Sequence, residues 1–145
     1  MEFYKIKLQM IKQDNVIITD ETITNATDIV GFINSIEEYD KAINENVIVI
    51  MLNTKNKIIA YSEIGIGANN NCYIDIPSIF KVLFTTNTSK FILAHNHPSG
   101  DTTPSKEDIT TTKKIKEVSE LMGVQFLDHI IIGENEYRSI IREVK

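Results

Sequence analysis

The run VIVIML, Val47 to Leu52, restricts the fold more than any other stretch of the chain. It is apolar at every position and mostly β-branched. A half-exposed strand would alternate polar and apolar residues, and a buried helix would be longer. The run therefore reads as a strand inside a sheet, covered on both faces. The chain has 145 residues, enough for one domain with a real core and too few for two comfortable ones. A single domain over residues 1–145 is expected.

The flanking segments supply the covering layers. Tyr4–Met10 and Val16–Thr19 read as short strands joined by a hairpin turn at Gln13-Asp14-Asn15. Thr27 can cap a helix whose Ile29, Val30, Ile33 and Ile36 share one face. Glu37–Asn46 reads as polar connection. After VIVIML, the turn signal Asn53-Thr54-Lys55-Asn56 leads into Lys57–Gly67, expected to pair antiparallel with it. Asp75 and Pro77 open a helix over Ile76–Thr86. Phe91–Ala94 is a strand again. Ser105 opens a third helix with an apolar stripe at Ile109, Ile115, Val118 and Met122, and Gly123 ends it. Gln125–Ile132 is another strand, and Glu134–Tyr137 turns into a short last one. The pattern is a central sheet flanked by helices, an α/β or mixed α+β domain.

Charge and cysteine content narrow the function. Lys+Arg number 15 against 20 Asp+Glu, a formal net charge of -5, which argues against nucleic-acid backbone as the main ligand. The N-terminus lacks the apolar core and cleavage site of a signal peptide, and no run approaches a membrane span, so a cytoplasmic protein is expected. Cys72 is the lone cysteine. It cannot make an internal disulfide or a cysteine zinc cluster, and reads as a half-buried apolar residue, with a reactive thiol as the other reading.

The chemistry concentrates in FILAHNHPSGDTTPSKED, Phe91 to Asp108. Residues two apart on a strand point the same way, so His95 and His97 share a face and Asn96 takes the other. Two imidazoles on one face can share a metal. The Pro- and Gly-containing loop Pro98–Pro104 then turns the chain back, and Ser105 and Asp108 have the spacing of a helix N-cap and its N3 partner. Asp108 can thus return to the histidines as a third ligand. Two histidines, a carboxylate and an open position are the donor set of a catalytic zinc site. Such a site needs a base, and Glu63, in an otherwise apolar strand, is the upstream candidate. Each piece has a plainer reading: HxH occurs in surface turns, Ser105 can be a cap only, Asp108 can complement the helix dipole, and Glu63 can lie at an exposed strand end.

Glu63, His95-Asn96-His97-Pro98, six residues, then Ser105 and Asp108 resemble the JAMM motif of JAB/MPN metalloprotease domains, E…HxHP-x6-SxxD. More narrowly, AHNHPSGD…PSKEDIT followed by LMGVQFLDHIIIG resembles the bacterial RadC family, from about Val47 to the C-terminus. The resemblance implies the MPN fold, a mixed sheet flanked by helices with a cytidine deaminase-like core. It implies one zinc ion held by His95, His97 and Asp108, with Glu63 as general acid/base and Ser105 stabilising an oxyanion. His129, in LDHIIIG, also matches the family and reads either as a satisfied structural histidine or as a partner to the site. The first 45 residues match the family poorly, and the helix-hairpin-helix segment that usually precedes this domain is not expected within these 145 residues.

The function this implies is a zinc-dependent hydrolase cleaving a peptide or isopeptide bond, with a peptide or protein as substrate. The other readings are a metal-stabilised module without chemistry and a DNA-structure-binding protein. A nucleobase deaminase is disfavoured, since the chain has neither HxE nor a second cysteine.

Overall fold

The structure is a computed structural model that describes residues 1–7, 9–11, 22–67 and 74–144. Five strands form one sheet: β1 (Glu45–Leu52), β2 (Ile58–Gly67), β3 (Lys90–Asn96), β4 (Gln125–Ile132) and β5 (Tyr137–Ser139), in the order β2-β1-β3-β4-β5. The pairing is antiparallel except between β3 and β4, so the sheet is mixed. Among the described residues three α-helices accompany it: α1 (Ala26–Ile36), α2 (Ile76–Thr85) and α3 (Lys106–Met122). The parallel β3–β4 pair needs a crossover, and α3 supplies it.

The VIVIML run lies in β1 with both neighbours in place, β2 on one side and β3 on the other. Its side chains divide by parity, as a period of two requires. Ile48, Ile50 and Leu52 pack with Ile29, Phe32 and Ile33 of α1. Val47, Val49 and Met51 pack with Ile79 and Leu83 of α2 and Ile115 of α3. One face of the sheet is thus covered by α1 and the other by α2 and α3. Burying such side chains stabilises the fold by roughly 1.5–3 kcal/mol each.

Some local expectations shift. The cap of α1 is Asn25, not Thr27: the Asn25 side chain accepts from the Asp28 N–H at 3.1 Å, and Asp28 answers by accepting from the Asn25 N–H at 3.2 Å. This reciprocal pair satisfies two helix-end groups at once. Thr27 lies in the first turn instead, its hydroxyl bonded to the Tyr137 hydroxyl at 2.6 Å. No strand forms over the described part of Tyr4–Met10, where Tyr4, Ile6 and Met10 are exposed. Val16–Thr19, the turn before it and Cys72 lie outside the described residues. Two strands start earlier or run longer than expected. β1 begins at Glu45 and β3 continues to Asn96, and both extensions reach the site.

Candidate metal centre

His95, next to last in β3, lies on the α2/α3 face of the sheet, with the parity of Phe91 and Leu93. His97 stands just past the end of the strand, its N–H donating to the Ile132 carbonyl at 2.8 Å so that it continues along β4. The two imidazoles face each other with their Nε2 atoms 2.9 Å apart.

The loop after them is held against the β4–β5 turn. Gly100 takes φ +84, and its carbonyl accepts from the Glu134 N–H at 3.3 Å. The buried Thr102 donates its hydroxyl proton to Glu136 at 3.1 Å. The chain re-enters at Ser105, which caps α3 by accepting from the Asp108 N–H at 3.0 Å, while Asp108 Oδ2 accepts from the Ser105 N–H at 2.8 Å. This capping box turns the Asp108 carboxylate inward. Oδ1 lies 3.4 Å from His95 Nε2 and Oδ2 lies 3.3 Å from His97 Nε2. Burial pushes the Asp108 carboxyl up, but the two imidazoles and the Ser105 N–H outweigh it and hold the group well below the usual carboxylate range.

The hydrogen-bond partners of the rings fix where their protons are. Thr112, on α3, donates its one hydroxyl proton to the Asp108 carbonyl at 2.6 Å. Its oxygen can then only accept from His129 Nδ1, 2.6 Å away. His129 is completely buried, and burial followed by the charge of His95 pushes its pKa well down, so it is neutral with that one proton. His129 Nε2 therefore accepts from His95 Nδ1–H at 2.7 Å. On the other ring, His97 Nδ1–H donates to the Asp101 carbonyl at 2.7 Å. Both Nε2 atoms are thereby left as lone pairs, facing each other and a carboxylate. Four acceptors with no donor among them ask for a cation, either a proton or a metal. His97 shows the demand: burial opposes its charging, yet Asp108 and the Asp101 carbonyl raise its pKa above the ordinary value.

Glu63 does not reach this cluster. It pairs with Ile48 and shares a parity with Tyr61, on the α1 face of the sheet and opposite His95. There its carboxylate accepts from the hydroxyl of the buried Tyr39, whose own pKa is raised by burial and by Glu63. The second carboxylate at the histidines, beside Asp108, is Glu45, which sequence reasoning missed. Glu45 has the parity of Val47, which is registered with His95, and its Oε1 lies 3.6 Å from His95 Nε2. Glu45, His95 and His97 present three ligand atoms within 4.8 Å of one another and could hold a metal ion. Glu45 went unnoticed because it lies within the polar stretch Glu37–Asn46, which reads as loop.

The family model of the RadC-like JAB domain matches residues 23–145. The chain belongs to the RadC-like JAB family. The match begins well before Val47 and takes in α1, which the resemblance alone had left outside. A RadC-family UPF0758 protein of Staphylococcus haemolyticus is 46% identical over 99 residues, covering 68% of this chain and 43% of the relative. One from Clostridium botulinum strain Alaska E43 is 45% identical over 121 residues, covering 83% of this chain and 52% of the relative. The chain thus spans about half or less of these relatives, whose names carry no activity. Among the described residues, no helix of this RadC-like domain is long and apolar enough to cross a membrane.

Proposed function

We propose that this RadC-like domain is a metal-dependent hydrolase of peptide or isopeptide bonds, with His95, His97 and Asp108 holding one divalent cation, zinc by donor type. The observation that carries the reading is the pair of Nε2 lone pairs converging on a carboxylate with no donor among them. Asp108 is favoured over Glu45 as the third ligand because its two oxygens address both rings and its backbone is locked by the capping box.

A divalent cation so held lowers the pKa of a water and polarises a carbonyl oxygen. The residues around it supply the proton handling. Glu45, beside the ligands but on a different strand, takes the proton of the attacking water on a carboxylate oxygen and passes it to the leaving amine nitrogen. Ser105 Oγ accepts from the Asp108 N–H, which leaves its hydroxyl proton to donate to the substrate's carbonyl oxygen. His129 and Thr112 keep His95 in the tautomer that offers Nε2.

Elemental analysis of untagged protein, wild type beside His97→Ala, should find about one zinc per chain in the first and little in the second. Glu45→Gln should keep the metal and lose turnover of peptide or isopeptide substrates by ~10²–10⁴-fold. Glu63→Gln should keep both. Wild-type turnover in Glu45→Gln would overturn the assigned base, and a wild type that binds no zinc at neutral pH would overturn the hydrolase. Metal in the wild type with no turnover of any amide substrate would favour a metal-stabilised module without chemistry.

A further inference from the structure

Asn96, between the two histidines, offers no atom to the cation site, yet it is 2% exposed and its amide oxygen and nitrogen each have a hydrogen-bond partner. Its parity is that of Ile92 and Ala94, so its side chain leaves on the α1 face while the histidines leave on the other. Oδ1 accepts from the Asn46 N–H at 2.6 Å, and Nδ2 donates to the Asn44 carbonyl at 3.0 Å. A flipped amide would set donor against donor and acceptor against acceptor, so the partners fix its orientation.

These two backbone groups belong to the peptide planes on either side of Glu45. The β1–β3 register runs up to Val47 opposite His95. Beyond that rung the β3 chain turns its own N–H to β4, with His97 bonded to Ile132. The Asn96 amide takes over where a backbone peptide would otherwise stand. It accepts from one plane and donates to the other, which continues the antiparallel pattern by a side chain. With both flanking planes pinned, the Cα–Cβ bond of Glu45 can point only to the α2/α3 face, where His95 Nε2 lies 3.6 Å from its carboxylate.

We infer that Asn96 is a positioning residue that aims Glu45 at the cation site, an inference that rests on the proposed role of Glu45. One tripeptide, His95-Asn96-His97, thereby sets two ligands with its outer side chains and the direction of the base with its middle one. Without the bracket, the start of β1 would be held on its β2 side alone, where Glu45 and Asn46 register with Gly67 and Ile66, and Glu45 would sample more directions.

The test is solution NMR on metal-free protein, with zinc content measured separately. In the wild type the Asn46 amide should be protected from exchange and Glu45 should occupy one χ1 rotamer. In Asn96→Ala, Asn46 exchange should quicken by about 10-fold or more and the Glu45 couplings should average, while zinc content stays at the wild-type level because every ligand remains. Asn96→Asp keeps the acceptor for the Asn46 N–H and loses the donor to the Asn44 carbonyl, so it should keep Asn46 protected while the Glu45 couplings still average, and an unchanged Glu45 rotamer in it would overturn the inference if the alanine variant does not fold. An Asn46 amide and a Glu45 rotamer unchanged in Asn96→Ala would overturn the inference. A wild type that takes no zinc would overturn the proposed function and leave the bracket to be judged by exchange and rotamer alone.

Discussion

Gly133→Ala should displace the loop between the histidines and Asp108 and weaken divalent-metal binding by roughly 10–100-fold, the loss seen when groups supporting metal ligands are removed. A β-carbon at Gly133 would lie 2.3 Å from the Gly100 carbonyl oxygen and 2.7 Å from Thr102 Cγ2. The first is a backbone atom, so no rotamer change relieves it, and the loop itself must move. That loop is fixed to the same turn by the Glu134 N–H and by Glu136. Pushing it outward strains both anchors and shifts Ser105, whose capping box orients the Asp108 carboxylate. The overpacking should also cost about 1–3 kcal/mol of stability. Gly31→Ala is the matched control: it lies within α1, and a β-carbon there meets nothing within 4 Å. It should stabilise by about 0.5–1 kcal/mol, since glycine inside a helix is unfavourable relative to alanine. Competition with a chromogenic chelator and thermal melts of the two variants give the comparison. Wild-type metal affinity in Gly133→Ala would show that the loop does not set the position of Asp108.

The contrast between Glu63 and Glu45 marks how far the residues could be read without the structure. VIVIML declared a central strand because every position is apolar, and both cores were implied by its two parities. The α3 cap was equally plain, since Ser105 and Asp108 stand at capping-box spacing. The start of β1 and the end of β3 were not legible, although Gln125–Ile132 was. Glu45 and Asn46 are polar, so the first residues of β1 looked like loop, whereas side chains on neighbouring elements accommodate them there: His95 meets Glu45 and Asn96 meets Asn46. Parity carried the missing information. Counting back in twos from Val47 gives Glu45 on the face that His95 also occupies, while Glu63 shares the parity of Tyr61 on the other face. The His95–His129–Thr112 chain was half visible: His129 sat in an apolar strand, but its partner lies on a helix and no local spacing links the two.

The metal-free protein should be most stable near pH 6.5 and lose stability on either side, through two histidines that titrate in opposite senses. His129 is buried and its pKa lies well below the ordinary 6.5, by burial first and then by the charge of His95. Below 6.5 the unfolded chain binds a proton here that the folded chain refuses. Stability therefore falls with falling pH, by up to about 1.4 kcal/mol per pH unit. His97 behaves the other way. Burial lowers its pKa, but the Asp108 carboxylate, the Asp101 carbonyl and the charge of Glu45 raise it above 6.5 overall. Its contribution is fully present below 6.5 and is lost as pH rises through the raised value. Urea melts of chelator-treated protein in steps from pH 5 to 8 should trace this maximum. His129→Asn should flatten the acid limb and His97→Asn the alkaline one, and a monotonic wild-type curve over that range would refute the assignment. Saturating zinc should reverse the alkaline limb, because ligation requires both Nε2 atoms deprotonated and becomes stronger as protons leave. Opposite slopes above pH 6.5 with and without zinc would mean that one position between His95, His97 and Asp108 exchanges a proton for a metal ion, which is what their converging acceptors require.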